Sequence, residues 1–255
     1  MKEETVDIPT AAGRLETFVT CPEQDGPHHA VILFMDVWGV RETLFDLARR
    51  AGTAGYCVLV PDLYYRQGRI RTDYRDEHGH AISLKNLTPE QQAAVLAPQE
   101  KLTDTMVLED TGAMLAWLDD RADVVRGPVG AFGYCMGGRH ALEAASAFPE
   151  RFRATASLHG TTLISARPES PHLNVIRLRG EVYCGFAETD AYAPPEMIAE
   201  WNALMTGADA RYRWEIHVGA EHGYALPDRD LFHKRSAERD WELILAMFRR
   251  QLPPR

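Results

Sequence analysis

The chain has 255 residues, 45% of them hydrophobic, and a formal net charge of −9 at pH 7. The length fits one large α/β domain and the apolar content is ample for a core, which argues against a disordered or fibrous protein. The acidic balance argues against a nucleic-acid binder, because such proteins usually present a basic face.

The start of the chain and its cysteines indicate a compartment. The first residues lack the apolar segment of a signal peptide, and no apolar run reaches membrane-spanning length. The cysteines are scattered at positions 21, 57, 135 and 184, with no C-x-x-C pair. We therefore expect a cytoplasmic protein without a membrane partner, with its thiols reduced.

The first elements predict a parallel sheet. Alternation over residues 4–8 and 15–20 predicts an opening hairpin, and the apolar runs 30–35 and 56–60 predict strands that are buried on both faces. A helix fits residues 41–54, which lie between those two strands. Alternating buried strands and helices predict an α/β fold, with a mainly parallel central sheet and helices on both faces.

The later elements continue this alternation. Strands are predicted at 128–132, 153–158, within 175–186 and at 213–218, and helices at 103–119, 136–147, 195–205 and 230–252. No internal repeat or linker interrupts the pattern, so we expect a single domain over residues 1–255.

Residues 64–100 depart from the pattern, because they are polar, charged and poorly periodic. We interpret them as an excursion from the sheet, with a short helix from Thr88, that covers a site at the strand ends. A solvated surface loop is the alternative.

The segment from Gly130 to His140 has the pattern of a nucleophile turn. Cys135 follows a predicted strand, precedes a predicted helix, and is flanked by Gly133 and Gly137. This is the Gly-x-nucleophile-x-Gly turn of α/β-hydrolases, with Cys in place of Ser. The turn is too sharp for side chains at the flanking positions, and the helix N-terminus favours a thiolate. The alternative is a buried structural thiol.

A thiol nucleophile needs a base and an acid that orients the base. In α/β-hydrolases they follow the nucleophile in the order acid then His, each on a loop at the end of a later strand. Asp190 and His222 satisfy this order, which predicts a Cys135–His222–Asp190 triad. The alternatives are Glu188 and Glu221 for the acid, and His217 and His159 for the base.

These features together resemble the dienelactone hydrolase family. The matching pieces are Gly133-Tyr-Cys-Met-Gly-Gly138, Asp36-Val-Trp-Gly, Pro61-Asp-Leu-Tyr64, Glu188-Thr-Asp190 and Gly219-Ala-Glu-His-Gly223. The resemblance implies the triad named above and an oxyanion hole formed by the backbone N–H groups of Val37 and Met136. It also implies hydrolysis of a small ester or lactone through a thioester, with no metal or cofactor.

The chain departs from the family pattern at two positions. Enzymes of the chlorocatechol pathway have Glu where this chain has Asp36, and that Glu pairs with the resting thiol. Asp36 is expected to pair with Cys135, or else to bond its own turn. Those enzymes also bind a substrate carboxylate with an Arg four residues after the catalytic His, where this chain has Leu226. The replacement candidates are Arg229, Arg71 and Arg75.

Residues near the predicted strand ends are candidates for the pocket wall, with ordinary core as the alternative. They are Trp38, Tyr64, His159, Phe186 and Tyr224. Three other functions remain open: a general carboxylesterase or thioesterase, a non-catalytic thiol-based binding or sensing protein, and a metal-dependent hydrolase. The metal-dependent hydrolase would draw its ligands from His78, His80, His159 and His222.

Overall fold

The structure is a computed structural model, and it describes residues 1–23, 26–208 and 211–254. Its strands are β1 (Lys2–Thr10), β2 (Gly13–Cys21), β3 (His28–Phe34), β4 (Cys57–Pro61), β5 (Val124–Tyr134), β6 (Phe152–Leu158), β7 (Glu181–Thr189) and β8 (Arg211–Glu221). Its α-helices are α1 (Glu42–Thr53), α2 (Pro89–Glu100), α3 (Asp104–Asp119), α4 (Met136–Ala147), α5 (Pro195–Gly207) and α6 (Lys234–Gln251). Short 3₁₀ turns occupy Tyr65–Gln67, Leu84–Asn86 and Pro171–Arg177.

The strands form one eight-stranded sheet in the order β1-β2-β4-β3-β5-β6-β7-β8. β1 and β2 form the antiparallel hairpin, β2 is antiparallel to β4, and every later neighbouring pair is parallel. The predicted α/β fold is confirmed. The parallel strands end at a common edge of the sheet, which brings the loops that follow β3, β5, β6, β7 and β8 together.

Several predicted elements differ from the structure at their ends, and two of the strands show how. The strand expected within 175–186 begins only at Glu181, because residues up to Arg177 form a 3₁₀ turn. The strand expected at 213–218 continues to Glu221, because β8 stays paired with β7 as far as Thr189. The second difference places His222 directly after β8.

The expectation that all thiols are reduced is wrong for two of them. Cys21 and Cys57 are joined by a disulfide. Thr20 of β2 lies opposite Val58 of β4, so the next step of the antiparallel register brings the two cysteines face to face. Cys135 and Cys184 are free.

The main core is formed by the buried strands and the inner faces of the helices. A separate small cluster of Val37, Trp38, Leu87 and Val95 packs the loop after β3 against the 64–100 excursion. The predicted helix of the excursion is present as α2, and Thr88 and Gln91 form a capping box at its start. Within the described ranges, none of the helices has the length and apolar character needed to cross a membrane.

Candidate active site

Cys135 lies on a sharp turn between β5 and α4. Its backbone has φ 56° and ψ −119°, a conformation that non-glycine residues rarely adopt. A Cβ on Gly133 would lie 2.1 Å from the carbonyl oxygen of Gly137, and a Cβ on Gly137 would lie 2.2 Å from that of Phe34. The flanking glycines are therefore required by close backbone approaches, and the sulfur is held at the N-terminus of α4 in a strained conformation.

Asp190 and His222 meet because the strands that carry them are neighbours. Thr189 of β7 pairs with Glu221 of β8, so the next residue of each chain segment leaves the sheet at the same edge. His222 Nδ1 lies 2.7 Å from Asp190 Oδ2. Asp190 Oδ1 accepts a hydrogen bond of 2.8 Å from the Tyr192 N–H, which fixes the carboxylate.

The remaining nitrogen of the His222 ring faces the thiol. Nε2 has no conventional hydrogen bond among the described residues, and both His222 and Cys135 line one cavity. Burial of the ring lowers the pKa of His222, but the Cys135 thiolate and the Asp190 carboxylate outweigh it and raise that pKa to about 10. A negative charge on the sulfur and the Asp190 carboxylate therefore both favour the protonated form of the imidazole.

The alternative acids and bases have other partners. Glu188 accepts a hydrogen bond of 2.8 Å from the Gly219 N–H, and Glu221 pairs with Lys85. His217 is buried and lies 2.7 Å from Asp240. His159 lines the cavity but makes no contact with a carboxylate that would orient it as a base, within the described chain.

Asp36 does not hold the thiol in this structure. Both of its carboxylate oxygens accept hydrogen bonds from Arg41, at 2.7 and 2.9 Å, and one also accepts from the Trp38 N–H at 3.1 Å. Arg41 in turn donates to Asp228 at 2.8 Å. The expected pairing with Cys135 is therefore replaced by an ion pair, together with the turn hydrogen bond that was the alternative.

Val37 and Met136 lie on the two segments that approach each other beside the thiol. Met136 is the first residue of α4, and Val37 follows β3. Tyr64 donates from its hydroxyl to the Val37 carbonyl oxygen at 3.0 Å, which fixes the peptide after Val37. This position fits the predicted pair of backbone donors.

A cavity of about 200 Å³ opens over these residues. It is lined by Asp36, Val37, Trp38, Ser83, Leu84, Leu96, Gln99, Cys135, His159, Thr161, Thr162, Tyr192, His222, Gly223, Leu226 and Arg229. Four of these residues, at positions 83, 84, 96 and 99, belong to the excursion, which therefore forms one wall of the cavity.

The excursion is fastened to the segment that carries His222. The Ala81 N–H donates to the Asp228 carbonyl at 2.8 Å, and the Asp230 N–H donates back to the Ala81 carbonyl at 3.2 Å. The Ser83 N–H and hydroxyl both donate to the Asp230 carboxylate. A solvated loop would not be held in this way.

Three of the predicted pocket residues belong to the packed interior instead. Tyr64 is fully buried, with its hydroxyl engaged by backbone. Phe186 is buried in the main core, and Tyr224 is buried with its hydroxyl donating to Asp240 at 2.7 Å. Trp38 and His159 do line the cavity.

Arg229 is the arginine that reaches the cavity. Its side chain is buried, its guanidinium carbon lies 4.0 Å from the centroid of the Trp38 ring, and Nε and Nη1 have no hydrogen-bond partner within the described residues. Burial lowers the pKa of Arg229, as does the neighbouring Arg41. The other two candidates are engaged elsewhere: Arg71 with Asp62 and Glu16, and Arg75 with Asp73.

The four histidines of the metal-dependent alternative do not come together, because His159 and His222 line the cavity and His78 and His80 do not. His78 and His80 lie in an exposed turn with ring centroids 6.4 Å apart. In the part of the chain that is described, one buried group has metal-ligand separations: Asp104, His140 and Glu143. Arg139 already places a cation there, 2.9 Å from Asp104 and 3.2 Å from Glu143.

Comparison with known proteins places the chain in a family. The sequence profile described as the dienelactone hydrolase family matches residues 15–252. A Yersinia pestis protein provisionally named carboxymethylenebutenolidase is 26% identical over 246 residues, which cover 94% of this chain and 85% of that protein. A Bradyrhizobium protein provisionally named 2-oxo-3-(5-oxofuran-2-ylidene)propanoate lactonase is 25% identical over 96% of this chain and 92% of its own length.

The fold has a close counterpart among solved structures. A Klebsiella pneumoniae protein described as a provisional dienelactone hydrolase superposes with a TM-score of 0.83 and 24% identity, over 97% of this chain and 98% of that one. The family profile spans nearly the whole chain, and the resemblance in the motifs is confirmed. The chain belongs to the dienelactone hydrolase family, whose members are hydrolases of lactone and ester bonds.

Proposed function

We propose that the protein hydrolyses a small ester or lactone with Cys135 as nucleophile, His222 as base and Asp190 as the orienting acid. The observation that carries this proposal is the shared position of the sulfur and the imidazole in one cavity, with His222 Nδ1 held 2.7 Å from Asp190. The strained turn at Cys135 supports it, because such strain concentrates at functional positions.

The reaction has two halves. His222 takes the proton of the Cys135 thiol, the thiolate attacks the carbonyl carbon of the substrate, and the oxyanion accepts hydrogen bonds from the Val37 and Met136 N–H groups. The imidazolium of His222 gives its proton to the leaving oxygen as the C–O bond breaks, which leaves a thioester. His222 then takes a proton from water, and the oxygen of this water attacks the carbonyl carbon of the thioester. The C–S bond breaks, Cys135 leaves as a thiolate, and the carboxylic acid is released. Asp190 stabilises the imidazolium that forms in each half.

Arg229 points to a substrate that carries an anion. A buried guanidinium with unpaired N–H groups is costly unless a partner arrives, and a carboxylate matches its geometry. Trp38 and Leu226 add apolar wall on the same side of the cavity. We infer that the substrate is a lactone or ester that carries a carboxylate. The name of the Bradyrhizobium relative describes a substrate of this class.

The first experiment tests the nucleophile. Mixing the protein with p-nitrophenyl acetate is expected to give a burst of p-nitrophenol followed by slower turnover. Cys135→Ala removes the burst. Cys184→Ala is the matched control, because that thiol is free but fully buried, and its burial raises its pKa to about 12. An unchanged rate in Cys135→Ala would refute the mechanism and favour a non-catalytic thiol protein.

A general carboxylesterase or a thioesterase would use the same machinery. A panel of lactones, aryl esters and acyl thioesters, each with and without a carboxylate, separates these functions by the ratio of kcat/KM values. We expect the carboxylate-bearing lactones to give the highest kcat/KM values. Highest turnover on neutral aryl esters or on acyl thioesters would assign one of the alternatives.

A further inference from the structure

His159 presents an unpaired imidazole to the cavity. It follows β6, its side chain is fully buried, and it lines the cavity together with Cys135 and His222. Neither Nδ1 nor Nε2 has a hydrogen-bond partner on another residue within the described ranges. A neutral imidazole carries one donor and one acceptor, and leaving them unpaired in a buried place is unfavourable. The two nitrogens therefore indicate a bound molecule as their partner.

The ring is held in place by its backbone and its neighbours. His159 has φ 38°, in the left-handed region, and its N–H donates to the Gly185 carbonyl at 2.8 Å. Its ring lies edge-on to the ring of His222 with centroids 4.9 Å apart, and 5.2 Å from the ring of Tyr224. A histidine with a purely structural role engages its ring, as His217 does with a carboxylate 2.7 Å away.

The ring of His159 stays neutral through the reaction. Burial lowers its pKa well below the usual range, and the charge of His222 lowers it further. The ring therefore keeps one nitrogen with a lone pair and one with a proton, even when the adjacent imidazole is protonated. It can bind a polar small molecule from both nitrogens but cannot compete with His222 as the base.

We propose that His159 positions the water that hydrolyses the thioester, a role that rests on the proposed function. His222 Nε2 removes one proton from this water, and the oxygen forms the bond to the thioester carbon. The other hydrogen of the water is donated to the unprotonated nitrogen of His159. The C–S bond then breaks, the sulfur leaves as thiolate, and the carboxylic acid is released. The two rings lie edge-on with centroids 4.9 Å apart, a separation at which one water can contact both imidazoles.

This role affects one half of the reaction more than the other. Attack by Cys135 on an aryl ester requires no water, and p-nitrophenolate needs little help to leave. Loss of His159 therefore slows the second half selectively. A defect in the triad slows both halves, and this difference separates a water-positioning role from a structural one.

The test uses stopped-flow kinetics with p-nitrophenyl acetate on the full chain. His159→Phe and His159→Asn are expected to keep the rate and amplitude of the burst within about twofold, while steady-state turnover falls about tenfold or more. Asn tolerates the left-handed backbone, so this variant guards against misfolding. His80→Phe, at an exposed position in the excursion, is the matched control.

Hydroxylamine sharpens the result, because it attacks a thioester without a positioned base. We expect it to restore turnover in both His159 variants. The proposal is overturned if both variants turn over at the wild-type rate. It is also overturned if burst and turnover fall together and hydroxylamine restores nothing. A wild-type protein whose ester hydrolysis does not depend on Cys135 would instead refute the proposed function itself.

Discussion

Replacing Arg229 with Met tests the anion-binding side of the cavity. Met is long and apolar, so it keeps the packing of the arginine stem on the Trp38 ring while it removes the guanidinium. Nε and Nη1 of Arg229 have no hydrogen-bond partner in the described structure, and the nearest carboxylate oxygen, on Asp228, lies 3.9 Å from Nε. The change therefore removes donors that are available to a substrate.

The size of the effect follows from the hydrogen bonds that the guanidinium is expected to make to the substrate. A hydrogen bond between charged groups contributes about 1.5–3 kcal/mol. Two such bonds to one carboxylate, reduced by the cost of removing that carboxylate from water, contribute about 3 kcal/mol. This corresponds to a loss of about 100-fold in kcat/KM. A neutral substrate gains nothing from the guanidinium, so its kcat/KM is expected to change less than about threefold.

The assay compares a carboxylate-bearing lactone with its methyl ester. Arg229→Met is expected to lower kcat/KM for the first and to spare the second, and Arg75→Met, at an exposed ion pair, is expected to change neither. Thermal unfolding is the second readout. Removal of a buried cation whose Nε and Nη1 make no hydrogen bond within the described residues is expected to leave Tm unchanged or to raise it. Equal losses on both substrates, or no loss on the anionic one, would refute the assignment.

Three further variants test the framework of the site. Asp190→Asn is expected to lower kcat by about 10³- to 10⁴-fold. It is also expected to lower the pKa of His222, because the Asp190 carboxylate raises that pKa. An NMR pH titration that gives an unchanged pKa for His222 would contradict this. Gly137→Ala places a Cβ 2.2 Å from a carbonyl oxygen of β3. We therefore expect a loss of about 3 kcal/mol or more in the free energy of unfolding. Gly207→Ala is the control because the space around Gly207 is open, and equal Tm values for the two variants would argue against the steric reason. Arg41→Leu removes the arginine hydrogen bonds of two largely buried carboxylates and is expected to lower the free energy of unfolding in urea by about 3 kcal/mol. An unchanged midpoint would mean that these ion pairs contribute nothing.

The nucleophile turn and the strand ends could be predicted because their causes are local or topological. The flanking glycines of Cys135 follow from a turn too sharp for side chains, and that steric reason is visible in five residues of sequence. The approach of Asp190 to His222 follows from chain order, because parallel neighbours end at one edge of the sheet. Neither prediction needs knowledge of side-chain packing.

Other features depend on packing that one sequence does not reveal. Tyr64 and Tyr224 follow strands and Phe186 lies within β7, and at such positions one step along the chain decides whether a side chain faces the cavity or the core. The disulfide between Cys21 and Cys57 depends on the register of β2 against β4. The two cysteines are 36 positions apart, and this spacing does not predict the register. Spacing alone left three arginines as candidates for the cavity.

The distribution of ion pairs at the cavity explains why Arg229 is the available cation. Arg41 binds both oxygens of Asp36 and reaches Asp228, so it satisfies the carboxylates of the β3 loop and of the loop after β8 together. Among the described residues, Arg229, next to Asp228 in the chain, has one ion pair, at 3.9 Å from that carboxylate, and otherwise stacks on the Trp38 ring. The ion pair of Asp36 with Arg41 thus has a consequence for Arg229. Because Arg41 is engaged by these carboxylates, the buried guanidinium of Arg229 keeps N–H groups without a hydrogen-bond partner among the described residues, which we expect an anionic substrate to fill.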